Sequence, residues 1–139
     1  MRTLTLICCC ALLAGCTVSR GSIDQGEIDG GSRGVISAVN RGIVMVDASS
    51  LTTEEKQAAR ELLGQLAEAN SLIDQFAARA AGLRMSELEA AEVQATVAMI
   101  HRQLEGVASR PPASLARGGA TLPPESQESL DELRRMIRR

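Results

Sequence analysis

Cys16 is the first candidate for a chemically reactive residue in this sequence, because a cysteine thiolate is a strong nucleophile. An apolar run at residues 4–13 precedes Cys16, and the positive residue Arg2 precedes the run. A positive residue, an apolar segment and small residues before a cleavage site are typical of a secretory signal peptide. We therefore expect residues 1–15 to be removed. The three cysteines at positions 8–10 would leave with them, so the mature chain could form neither an internal disulfide nor a thiolate metal site.

The four residues Leu13, Ala14, Gly15 and Cys16 resemble the lipobox of bacterial lipoproteins. The resemblance implies that Cys16 becomes the first residue of the mature chain and binds the membrane through acyl chains, palmitate among them, attached to it. An uncleaved membrane anchor is disfavoured, because a spanning helix needs about 20 apolar residues. Thr17 stands where inner-membrane lipoproteins of this type tend to carry Asp, which implies the outer membrane of a Gram-negative cell, facing the periplasm.

The single histidine, His101, is the other candidate for chemistry. It shares a helical segment with Glu105, and such an i,i+4 pair is usually an exposed polar contact. Catalytic motifs with a histidine, a nucleophilic serine or a phosphate-binding loop are absent from the sequence. We therefore expect no catalytic residue, no metal and no cofactor. A formal net charge of -2 and the lack of Tyr and Trp also argue against nucleic acid as a partner.

Two capping boxes predict the elements that position these residues. Thr52 with Glu55, and Ser86 with Glu89, have the spacing at which a hydroxyl and a carboxylate satisfy unpaired N–H groups of a first helical turn. Apolar residues then recur at helical spacing, which predicts an antiparallel hairpin of helices at 52–81 and 86–108, with Gly82 left-handed after the first. The expected stripes are Ala59, Leu62, Leu66, Ala69, Ile73, Phe76 and Ala80, then Ala90, Val93, Val97, Ile100, Leu104 and Val107.

Residues 35–47 are compatible with two structures. Their β-branched residues and the sequence Asn40-Arg41-Gly42 favour a β-hairpin, whereas the spacing of four apolar residues favours a helix capped by Ser32. We predict the helix, with Ile36, Val39, Ile43 and Val46 on its buried face. The fold class is thus all-α, an antiparallel helical hairpin within a helical domain at 35–109, completed to a three-helix bundle by this helix or by a second copy of the chain.

The remaining segments are expected to lie outside the core. Residues 16–34 are rich in Gly and Ser and predict a flexible tether whose acidic residues are solvated. Residues 110–124 predict an extended Pro- and Gly-rich spacer. Residues 125–139 predict a short, basic amphipathic helix with Leu130, Leu133 and Ile137 on one face and Asp131 paired with Arg135. Its terminal arginines either complement the helix dipole or contact an anionic membrane or acidic partner.

These expectations favour a structural or protein-interaction lipoprotein of the cell envelope that presents a coiled-coil-like face to itself or to an envelope protein. The alternative is an outer-membrane lipoprotein of a phage or prophage lysis system, although those proteins are usually shorter and denser in proline. A periplasmic enzyme or small-ligand carrier would need a deep apolar pocket. Arg139 cannot form the covalent wall link that a terminal lysine makes in peptidoglycan-linked lipoproteins.

Overall fold

The helices account for nearly all of the structure, a computed structural model that describes residues 20–117 and 122–137. The predicted all-α fold is confirmed. A two-residue antiparallel pair of strands is the only β-structure in the described ranges. The elements in chain order are β1 (Arg20–Gly21), α1 (Gln25–Ala48), α2 (Thr53–Ala81), β2 (Met85–Ser86), α3 (Glu87–Ala108), α4 (Pro112–Arg117) and α5 (Pro124–Ile137).

Both predicted capping boxes form, and they start the two helices of the hairpin. The N–H of Glu55 donates to the Thr52 hydroxyl at 3.3 Å, and the Glu55 carboxylate accepts from the Thr52 N–H at 2.9 Å. Ser86 and Glu89 repeat the arrangement before α3. The prediction for Gly82 is wrong, since this residue has φ -83° and ψ -8° and ends α2 in a right-handed conformation.

Helix α1 packs against both α2 and α3 and completes a three-helix bundle. It is antiparallel to α2, because Ser32 contacts Asp74 while Asp47 pairs with Arg60. It is parallel to α3, because Asp24 contacts Gln94 while Gly31 lies against His101. The predicted stripes of α2 and α3 are buried except for the half-buried Phe76, and the core also contains Leu63, Ala77 and Ala108.

The N-terminal half of α1 corrects the predicted tether, because residues 25–34 are helical. Asp24 caps the helix, with its Oδ1 accepting from the N–H groups of Gly26 and Glu27 at 2.9 and 3.2 Å. Ile28 and Val35 are buried on the bundle side. Each glycine in a helix costs about 1 kcal/mol relative to alanine, and burial of α1 offsets that cost.

The helix predicted for residues 35–47 therefore forms within a longer element, and of its predicted buried face Val39 and Val46 are buried and Ile43 is partly buried. Ser32 does not cap the helix; it is buried in the interior of the bundle. Ile36, expected in the core, is 47% exposed. The buried face of α1 also includes small residues, among them Ala38 and Gly42.

The predicted C-terminal spacer is also corrected. Residues Pro112–Arg117 form α4, with Pro112 at the first helical position, where its missing N–H costs nothing. Leu115 of α4 is 1% exposed, and α4 packs on α2.

Helix α5 packs on α3 and α2 and buries Leu130 and Leu133 of its predicted apolar face, while the side chain of Ile137 lies outside the described ones. Asp131 pairs with Arg134 at 2.8 Å rather than with Arg135, which pairs with Glu132 at 3.0 Å. None of the helices in the described ranges is both long and apolar enough to cross a membrane.

Candidate functional site

A partly buried polar cluster lies where the three long helices meet. The Asn70 amide nitrogen donates to the Ser32 hydroxyl oxygen at 2.8 Å, and that hydroxyl donates to Asp74 Oδ2 at 2.6 Å. On the other side of the carboxylate, Asp74 Oδ1 lies 3.7 Å from His101 Nε2. We call these four residues the polar cluster; Ser32 belongs to α1, Asn70 and Asp74 to α2, and His101 to α3.

His101 corrects the expectation of an exposed pair with Glu105. The residue is 2% exposed, and its ring is packed against the backbone of Gly31. Glu105 instead lies over Gly34 on α1. The distance of 3.7 Å to Asp74 is longer than a hydrogen bond, and within the described chain neither His101 Nε2 nor Asp74 Oδ1 has a hydrogen-bond partner.

Burial determines the charge of this imidazole. Removal from water lowers the pKa of His101 below its usual value of 6.5, although the nearby Asp74 carboxylate acts in the opposite direction. The neutral form of His101 is therefore favoured in the folded protein. Protonation of His101 would place a positive charge 3.7 Å from the half-exposed Asp74 carboxylate.

The order of groups in the polar cluster differs from that of a catalytic triad in which serine is the nucleophile. In such sites the imidazole takes the hydroxyl proton and the carboxylate orients the imidazole. Here the Ser32 hydroxyl donates directly to Asp74, which stands between the serine and His101. The hydrogen bonds of the polar cluster fix the register of α1 against α2, and His101 of α3 packs beside them. A groove of about 320 Å³ passes beside His101 and is lined by Glu27, Gln94, Arg102 and Glu105 together with apolar residues of α1 and α3.

Metal ligands do not gather elsewhere in the part of the chain that the structure describes, where no three His, Cys, Asp or Glu side chains are placed to share an ion. The sequence alone assigns Ser32 to a helix cap and does not identify Asn70 or Asp74 as its partners. Asn70 carried a usable signal, because it interrupts the apolar face of α2 between Leu66 and Ile73. A polar residue at a core position requires a partner.

Lowering the pH is expected to destabilise the protein through His101. The pKa of His101 is lower in the folded chain than in the unfolded chain, so the unfolded chain binds the proton first as the pH falls. Stability should therefore decrease below about pH 6.5, and the loss should continue down through the folded-state pKa. Urea unfolding at pH 7.5, 6.5 and 5.5 measures this.

The His101→Gln variant is the control for this pH series, because His101 is the only histidine. Its free energy of unfolding should change less than that of the unmodified protein over the same interval. The Asp74→Asn variant should lose more stability on acidification, since Asp74 raises the pKa of His101. Equal slopes in all three proteins would contradict the assigned role of His101.

A second feature is the point where the N-terminal segment joins the bundle. Strand β1 pairs antiparallel with β2, with Arg20 opposite Ser86 and Gly21 opposite Met85. A Cβ at Gly21 would overlap the Ser86 carbonyl oxygen and lie 2.6 Å from the Cβ of Ala90. Only glycine allows this approach, and it fixes Arg20 and Gly21 at the turn between α2 and α3.

The predicted lipidation residue Cys16 and the lipobox residues Leu13, Ala14 and Gly15 lie outside the described residues. Comparisons with protein families, curated proteins and solved structures gave no match. The structure establishes the class of this molecule, which is a small, mostly helical protein with a three-helix bundle.

Proposed function

We propose that this protein is a lipid-anchored, periplasm-facing module of the bacterial cell envelope that acts through contacts with other proteins or with its own copies. The sequence Leu13-Ala14-Gly15-Cys16 directly after an apolar N-terminal run carries the proposal. Two or three acyl chains on one residue anchor a protein durably, whereas one chain binds only marginally. The Thr17 position favours the outer membrane as the location.

The architecture is compatible with a contact role that needs no catalytic group. The outward face of α1 exposes apolar side chains near its C-terminal end, with Val44 67% and Met45 54% exposed. Asp47 and Arg60 form an ion pair between α1 and α2 at the same end of the bundle. Exposed apolar residues beside charged ones are common at protein interfaces.

The experiment that tests the anchor compares two cysteine substitutions in the full chain. Cys16→Ser removes the proposed acceptor, whereas Cys10→Ser changes a cysteine of the leader and leaves the lipobox intact. We expect palmitate labelling of the unmodified protein and of Cys10→Ser, and no labelling of Cys16→Ser. Mass spectrometry of the N-terminal peptide should find an acylated residue 16 at the new terminus.

An intact Met1 terminus or a free thiol at position 16 in protein from native membranes would refute the anchor. The contact role is tested on the same membranes by chemical cross-linking and affinity purification of the protein. We expect defined cross-linked species with the unmodified protein and a decrease with Cys16→Ser, because anchoring raises the local concentration of envelope partners. The absence of any cross-linked species would count against a contact role.

A further inference from the structure

We infer that the α2–α3 end of the bundle rests on the bilayer surface, with Leu83 and Leu88 inserted at the boundary between headgroups and acyl chains. This end, comprising residues 83–88, is called the turn end below. The inference rests on the proposed function, since it takes the lipid on Cys16 as the membrane anchor. It adds an orientation and a second membrane contact that the lipid alone does not specify.

Chain length requires the turn end to be near the lipid. Arg20 is held at the turn end by the pairing of β1 with β2. Only residues 17–19 separate Arg20 from Cys16, and an extended chain advances at most about 3.6 Å per residue, so the two Cα atoms lie within about 14 Å. The 24-residue helix α1 is about 36 Å long at 1.5 Å per residue. The opposite end of the bundle is therefore out of reach of the anchor.

The turn end also presents the apolar side chains that a membrane contact requires. Leu83 is 52% exposed and Leu88 is 79% exposed, the largest exposure among the large apolar residues described. Met85 lies between them and is half-buried. Amphipathic segments at an interface bury such residues about 5–10 Å into the boundary between headgroups and acyl chains, a depth that suits leucine side chains at the end of a bundle.

The charges in and beside the turn end indicate the headgroup charge of the bilayer that it contacts. The charged residues in and beside the turn end balance, with Arg20, Arg79 and Arg84 against Glu87, Glu89 and Glu92. Hydrogen bonds from the Ser86 backbone N–H and hydroxyl lower the pKa of Glu89, which keeps this carboxylate ionised. A surface of balanced charge lacks the cluster of Lys and Arg residues that binds anionic lipids. We therefore assign a zwitterionic bilayer, rich in phosphatidylethanolamine, as the surface that the turn end contacts.

A tryptophan reporter tests this orientation, because the chain contains no tryptophan or tyrosine. Leu88→Trp places the reporter at the turn end, and Val44→Trp places it on an exposed face near the opposite end of the bundle. Each full chain is expressed, recovered from membranes and reconstituted into phosphatidylethanolamine and phosphatidylcholine vesicles with brominated acyl chains. Bromine quenches tryptophan only within the depth of the bilayer.

We expect at least about twofold quenching of the Leu88→Trp variant, because the side chain enters the interface, and little quenching of the Val44→Trp variant. Replacing part of the phosphatidylethanolamine with phosphatidylglycerol should leave the quenching at position 88 unchanged, because the balanced charges of the turn end neither attract nor repel anionic lipid. Both positions are exposed, so circular dichroism should show an unchanged helix content in both variants.

Equal quenching at the two positions, or none at position 88 while mass spectrometry detects acylated Cys16, would overturn the inference and leave the proposed anchor intact. Protection of position 88 from aqueous acrylamide without quenching by brominated lipid would identify a protein contact instead and would also overturn it. An unmodified Cys16 thiol would refute the proposed function, and the mass measurement reports this independently of fluorescence.

Discussion

Leu115→Ala is expected to lower the free energy of unfolding by about 2 to 5 kcal/mol, the usual range for a leucine removed from a packed core. Leu115 is 1% exposed on α4, a six-residue helix that packs on α2. Helices of this length are not stable by themselves, so the packing of Leu115 must hold α4 in place. Urea unfolding followed by circular dichroism measures the loss.

Leu88→Ala is the matched control, because it makes the same change on a helical residue that is 79% exposed. Its stability should remain within about 0.5 kcal/mol of the unmodified protein. In the unmodified protein the N–H of residue 115 donates to the Pro111 carbonyl at 3.1 Å. Hydrogen exchange at this N–H should be faster in the Leu115→Ala variant than in the Leu88→Ala variant. Equal stabilities of the two variants would mean that residues 112–117 behave as the extended spacer that composition predicts.

Substitutions of the neighbouring glycines 30 and 31 are expected to change stability in opposite directions. Both lie in α1, so alanine raises the helix propensity of each by about 1 kcal/mol. A Cβ at Gly30 meets nothing within 4 Å. A Cβ at Gly31 would overlap His101 Nδ1 and lie 3.0 Å from Cγ and 3.2 Å from Cβ of the same side chain, an overpacking that costs about 1 to 3 kcal/mol.

We therefore expect Gly30→Ala to stabilise the protein and Gly31→Ala to destabilise it in the same denaturation assay. A double-mutant cycle assigns the cause. In a His101→Ala background the ring is gone, so Gly31→Ala should become neutral or stabilising. If Gly31→Ala costs the same with and without His101, the close approach of α1 and α3 is not what requires glycine there.

The features predicted correctly from the sequence are those with local causes. A capping box joins two residues three positions apart, so Thr52 with Glu55 and Ser86 with Glu89 could be recognised from spacing alone. The apolar stripe of α3 likewise follows from helical periodicity, and all six residues predicted for it are buried.

The errors arose where a contact with another helix overrides local preference. Glycines 30, 31 and 34 are typical of a flexible segment, yet they belong to α1, where Gly31 and Gly34 lie close to His101 and Glu105 of α3. Ser32 read as a helix cap because its type is typical of caps, whereas partners 38 and 42 positions away hold it inside the bundle. Nothing in the local sequence around Ser32 identifies Asn70 or Asp74.

The sequence by itself determined the all-α class and the start and end of the central hairpin, because capping and periodicity act over one or two helical turns. Only the tertiary structure decided that α1 extends back to residue 25, that His101 faces Asp74 in the interior, and that β1 joins the N-terminal segment to the α2–α3 end. Those features depend on free energies gained between residues far apart in the chain. Short-range spacing carries no information about which distant surfaces will meet.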